Sequence, residues 1–139
     1  MAARSARATL ALVAVLAAVL VVVGCLAPWA TVRGVSFSGT DANAGKSTIV
    51  AAVVSAVLLL IASRTGRRWL SIVAAIPAAI ATTICVYRLA DIANFVQGAP
   101  GASAAWGIWL ATICSVALFL LCLVHASVPT SQTGDATSP

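Results

Sequence analysis

The sequence predicts an all-α protein, a four-transmembrane-helix bundle with both termini in the cytoplasm. Three observations predict it. Of 139 residues, 62% are apolar and 8% charged, with a mean hydropathy of +1.10, whereas soluble domains are roughly 45–50% apolar and about 25% charged. Four apolar stretches approach the length of a membrane crossing and contain no Asp, Glu, Lys or Arg, as the cost of a charge in hydrocarbon requires. Five of the eight basic residues fall at one set of span ends. This composition excludes a soluble enzyme domain, a disordered chain and a nucleic-acid binder. Four spans of ~20 residues also leave little chain for a catalytic domain.

The first span is expected over about residues 8–26, stopping at Pro28-Trp29. Its end, Val22-Val23-Gly24-Cys25, resembles a relaxed lipoprotein signal with Cys25 as the lipidated residue. The length of the apolar run and the three spans that follow argue against that reading.

The loop from Pro28 to Gly45 comes next. Within it, Thr31 to Gly39 carries β-forming residues in partial alternation. This pattern suits a short β-hairpin or an irregular loop with Phe37 dipping into the interface. The stretch Gly39–Ser47 is superficially like a phosphate-binding loop. Five residues separate its glycines where that loop has four, and no buried strand precedes it. A turn leading into the second span is the better reading.

The second span is expected over 47–62, with the Lys46 amine snorkelling outward. A tight turn, Arg64 to Arg68, leads to the third span at 69–87, where Pro77 frees the carbonyl of Val73 and predicts a kink. Arg88 and Asp91 are spaced to pair as helical neighbours. Ala93–Ser103, with Gly98-Ala99-Pro100-Gly101, reads as a turn. The fourth span is expected over 104–124. Residues 1–125 thus form the membrane domain, and 126–139 a disordered cytoplasmic tail.

Orientation follows from basic residues. Arg4, Arg7, Arg64, Arg67 and Arg68 fall on the side of the termini; Arg33, Lys46 and Arg88, partly offset by Asp41 and Asp91, fall on the other. The expected location is the cell (plasma) membrane. Trp29, Trp69, Trp106 and Trp109 all lie at span ends, where an amphipathic ring is favoured, and are expected to be interfacial anchors.

Little chemistry is legible. No catalytic, cofactor-binding or metal-binding set is found, no cofactor is expected, and the chain is not expected to be an enzyme. Cys122 and His125 are three residues apart, but two ligands do not make a metal site. A histidine favoured by the dipole at a helix C-terminus is the simpler reading. Cys25 and Cys85 lie at similar depth, so a disulfide between spans 1 and 3 is an open alternative to free buried thiols. Ser55, Thr82, Thr83, Thr112 and Ser115 lie near mid-span and form a candidate interhelical polar seam. Each such bond is worth about 0.6 kcal/mol, with bonding to the residue's own helix as the alternative. Gly107, Ala111 and Ser115 on span 4, and Ala74 and Ala78 on span 3, have the small-residue spacing that permits close helix approach.

The order of these features resembles small four-span membrane proteins common in actinobacteria. Pro28-Trp29 after span 1, the loop glycines Gly34, Gly39 and Gly45 with Asp41, and Trp106-Gly107 at span 4 carry the resemblance. It implies a topology and no activity. The expected function is therefore that of a structural, accessory or partner-binding membrane protein. Its expected partners are the lipid bilayer and a membrane protein or a second copy of the chain, with no nucleic acid. Two alternatives are a phage-encoded superinfection-exclusion protein or holin, and a small facilitator or channel lined by the hydroxyl seam.

Overall fold

The computed structural model describes residues 2–41 and 43–128. Along the chain lie α1 (Ala2–Leu26), β1 (Pro28–Val32), β2 (Val35–Ser38), α2 (Asn43–Thr65), α3 (Arg68–Gly98), β3 (Ala102–Ala104) and α4 (Trp106–Ser127). The four helices are long and apolar enough to cross a membrane. Each packs on its neighbours in a ring, α1 on α2, α2 on α3, α3 on α4 and α4 back on α1. The tight α2–α3 turn, and the sheet that joins the end of α1 to the start of α4, make those neighbours antiparallel. The start of α1, the end of α4 and the α2–α3 turn therefore share one end of the bundle, the terminal end. The strands lie at the other, the sheet end.

Small side chains fill the interior. Ala14, Ala52, Ala74, Ala78, Ala81 and Ala111 are buried, with Leu59, Ile108 and Leu118 among the few large residues between them. Leu12, Leu16, Ile72, Ile76, Ile113 and Leu120 point outward and are exposed. This inverts the pattern of a soluble bundle, as expected where lipid is the solvent and close backbone approach holds the helices together. The α1–α4 contact shows how close that approach is. A Cβ added at Gly24 would lie 2.7 Å from the Ala111 nitrogen and 3.0 Å from the Gly107 oxygen. The small-residue spacing of Gly107, Ala111 and Ser115 is thus used, and Gly24 of α1 packs against it.

The structure is mostly helical but not all-α, because β1 pairs antiparallel with both β2 and β3 in a sheet of order β2-β1-β3. The β1–β2 hairpin matches one of the two readings of the first loop. The third strand was not expected. Ala102-Ser103-Ala104 has weak intrinsic β preference, and its partner Ala30–Val32 is far away in sequence, so local pattern carries no signal for it. Helix boundaries also exceed the expected spans, except that α4 starts at Trp106 and not at Ala104, which pairs in β3. Most notable is α3, which passes unbroken through Pro77 and continues beyond Arg88 to Gly98. Its 31 residues make a rod of about 46 Å at ~1.5 Å per residue, longer than a ~30 Å hydrocarbon core. A charge ends a hydrocarbon span without ending a helix. Likewise α4 runs to Ser127, into the segment expected as tail; residues 129–139 of that expected tail lie outside the described residues.

Candidate functional site

The sheet end is built by a chain of local necessities. Arg33 (φ 49°) and Gly34 (φ 82°) both adopt left-handed conformations, which makes a two-residue hairpin turn whose twist matches the flanking strands. The hairpin register shifts between Pro28 and Ala30, leaving Trp29 at a bulge, the device by which a strand re-aims one side chain. Trp29 is turned into the protein and is 4% exposed, and its indole N–H donates to the Gly24 carbonyl at 2.9 Å. In a continued helix that carbonyl would receive the N–H of residue 28, but Pro28 has none. The indole therefore satisfies the acceptor that proline orphans. The Trp29 carbonyl accepts the Ala105 N–H at 2.9 Å, and the Gly101 carbonyl accepts the Arg33 N–H at 3.1 Å. These bonds tie the start of α4 and the α3–β3 turn to the hairpin.

Trp29 is thus buried and not on the outer surface where an interfacial anchor sits. The physical reason is the bulge together with Gly39, which has no side chain to collide with the indole. Trp69, Trp106 and Trp109 are about half exposed, on the outside of the bundle. The glycine-spaced stretch after β2 forms a turn. Asp41 caps it by accepting the Ser38 N–H at 2.7 Å, and Gly45 donates its N–H to the Gly39 carbonyl at 3.1 Å.

What this assembly presents outward is β2. It is an edge strand, and Val35 and Phe37 on it are 58% and 49% exposed. Beside the sheet rises the end of α3. Leu89 and Ile92 pack toward the core, Phe95 faces outward, and Arg88 pairs with Asp91 at 3.4 Å, as their spacing predicts.

The polar seam is only partly interhelical. Thr82, Thr83 and Thr112 donate to the carbonyls of Ala78, Ala79 and Ile108 on their own helices, and Ser115 donates to Thr112. Thr83 faces outward. Ser55 is different: its hydroxyl donates to the Ala74 carbonyl of α3 at 2.7 Å and lies 3.5 Å from the Cys122 sulfur of α4. One buried hydroxyl therefore joins three helices, one turn before Pro77. The hydroxyls of Thr48 and Ser115 flank the Cys85 thiol, and Cys25 is fully buried like Cys85. Both cysteines are buried free thiols, as are Cys114 and Cys122, so the Cys25–Cys85 disulfide is not formed in this structure.

The terminal end holds a cluster that sequence reading passed over. His125 is 2% exposed and its Nδ1 lies 2.9 Å from the Ser71 hydroxyl on the first turn of α3. Arg7 is 7% exposed, and its guanidinium donates to the Val128 carbonyl. The available signal was positional, since Arg7 and His125 stand at the start of the first apolar run and the end of the last. Taken alone, each reads as a charge at a boundary. Cys122 and His125 have separate partners on α2 and α3, and among the described residues no three His, Cys, Asp or Glu side chains gather as metal ligands.

Compared with models of known protein families, with curated proteins and with solved structures, the chain matches none.

Proposed function

We propose that the protein is a non-catalytic scaffold of the cell membrane that docks a partner protein on its sheet end. Both termini lie in the cytoplasm in this reading, so the sheet faces outside, in line with the Arg64–Arg68 turn at the terminal end. The observation that carries the proposal is the exposed pair Val35 and Phe37 on an edge strand. An edge strand offers unpaired backbone donors and acceptors, and soluble surfaces blunt such edges with charge or proline. Here the edge carries apolar side chains on a sheet held rigidly by Trp29. That combination suits strand addition by a partner or by a second copy. The facilitator alternative has less support, because Thr82, Thr83, Thr112 and Ser115 spend their hydroxyls within their own helices.

The test is affinity purification from native membranes in mild detergent, comparing wild type with Val35→Asp/Phe37→Asp. The expected result is loss of a stoichiometric partner, or of self-association, from the double variant, with Ile76→Ala on the lipid-facing surface unchanged. Equal recovery of the partner by wild type and the double variant would overturn the docking role.

A further inference from the structure

Among the described residues, the terminal end contains two nitrogen atoms without an acceptor. Arg7 Nε and His125 Nε2 are both buried and, among the described residues, have no hydrogen-bond partner. Their side chains are at least nine-tenths buried, and Arg7 lies close enough to His125 for its charge to act on the imidazole. Buried polar groups are almost always satisfied, because an orphaned donor costs about 1–3 kcal/mol in desolvation. When the Ser71 hydroxyl donates to Nδ1, the imidazole proton sits on Nε2. Two donors, one carried by a cation, then share a site with no acceptor for them among the described residues.

A third feature points to the same chemistry. Ser71 sits on the first turn of α3, and that helix begins at Arg68 with no side-chain cap on its free N–H groups. A helix N-terminus favours an anion. Arg64, Arg67 and Arg68 are exposed around it, and the described residues of this end include no Asp or Glu. The depth is also telling. The apolar run of α1 starts at Ala8, directly after Arg7, and that of α4 stops at Val124, directly before His125. This is the level at which lipid phosphates lie.

We infer that Arg7 and His125, at the uncapped N-terminus of α3, bind a phosphate group, supplied by the headgroup of an anionic phospholipid in the surrounding leaflet. Phosphate offers several strong acceptor oxygens, enough for Arg7 Nε, His125 Nε2 and a backbone N–H at once. Such a lipid would clasp α1, α3 and α4 together at the terminal end.

The experiment uses the delipidated full chain in an uncharged detergent, with bound lipid counted by native mass spectrometry. Phosphatidylglycerol is titrated against phosphatidylcholine, and inorganic phosphate is titrated in a separate thermal-unfolding arm. Phosphatidylglycerol is expected to bind about tenfold or more tightly than phosphatidylcholine. Arg7→Gln and His125→Phe should each abolish that preference. His125→Gln, which keeps an N–H donor, should retain part of it, and helical circular dichroism checks that each variant folds. A chain ending at Ser131, which keeps the amide carbonyl of Val128, should bind as the full chain does. Equal binding of the two lipids, or a preference that survives Arg7→Gln, would overturn the proposal. Loss of the preference on truncation would assign the site to the chain's own C-terminal residues and also overturn it. Stabilisation by inorganic phosphate without any by phosphatidylglycerol would keep the anion site but overturn its lipid source.

Discussion

The α1–α4 contact makes a quantitative prediction about three glycines. In Gly24→Ala the new methyl would sit 2.7 Å from the Ala111 nitrogen and 3.0 Å from its Cα. In Gly107→Ala it would sit 2.5 Å from the Pro28 oxygen and 2.8 Å from the Ala27 Cβ. Comfortable contacts between heavy atoms are about 3.5–4.0 Å, so the two helices must part by roughly 0.5–1 Å. The obstructing atoms are mostly backbone and cannot rotate aside. Overpacking of this kind costs about 1–3 kcal/mol, while alanine returns up to ~1 kcal/mol of helix propensity. The expected net loss is about 1–2 kcal/mol for each variant, a 5- to 30-fold shift in the unfolding equilibrium. Gly98→Ala is the control: its Cβ meets nothing within 4 Å, and its stability should stay within about 0.5 kcal/mol of wild type. Reversible unfolding in mixed micelles, followed by tryptophan fluorescence, measures all three. Gly24→Ala and Gly107→Ala proteins as stable as wild type would refute the tight-packing argument, as would a Gly98→Ala protein equally damaged.

Three further outcomes follow from particular side chains. Trp29→Phe keeps the ring but removes the N–H that satisfies the Gly24 carbonyl, and should cost about 1–3 kcal/mol in the same unfolding assay. Ser55→Ala removes the α2–α3 hydrogen bond and should cost about 0.6–1.7 kcal/mol, whereas Thr83→Val, on the outer face of α3, should change little; comparing the two separates a joint between helices from a hydroxyl serving its own helix. Arg33→Asn replaces a residue held at φ 49° by one that tolerates it, and should raise the unfolding midpoint by a free energy of about 0.5–1 kcal/mol.

The four helices were legible because lipid imposes a composition rule on long uninterrupted segments. Ser55 could be named from sequence, but nothing local distinguishes it from Thr82 or Thr112. The distinction depends on which helix face meets Ala74 across the α2–α3 contact. Trp29 shows the opposite failure. Its position after a span invites the interfacial reading, while the bulge that buries it depends on Ala30–Phe37 register and on Gly39. The third strand and the Arg7–Ser71–His125 cluster were hidden for a shared reason. Both are made by residues far apart in the chain, and neither side of either contact has a distinctive local pattern. The overhang of α3 was hidden because hydropathy reports where hydrocarbon ends, and the helix continues past that point on the strength of Leu89 and Ile92.

The central claim is that β2 is a docking edge. The most direct measurement is site-specific photocrosslinking in native membranes, with the reactive residue placed in turn at Val35, Ser36 and Phe37. Alternate residues of a strand face opposite ways. A partner strand added along β2, with its apolar side chains beside Val35 and Phe37, should therefore give strong adducts of one defined mass at 35 and 37 and a weaker one at 36. Uniformly absent adducts, or equal yields of heterogeneous mass at all three positions, would contradict the account.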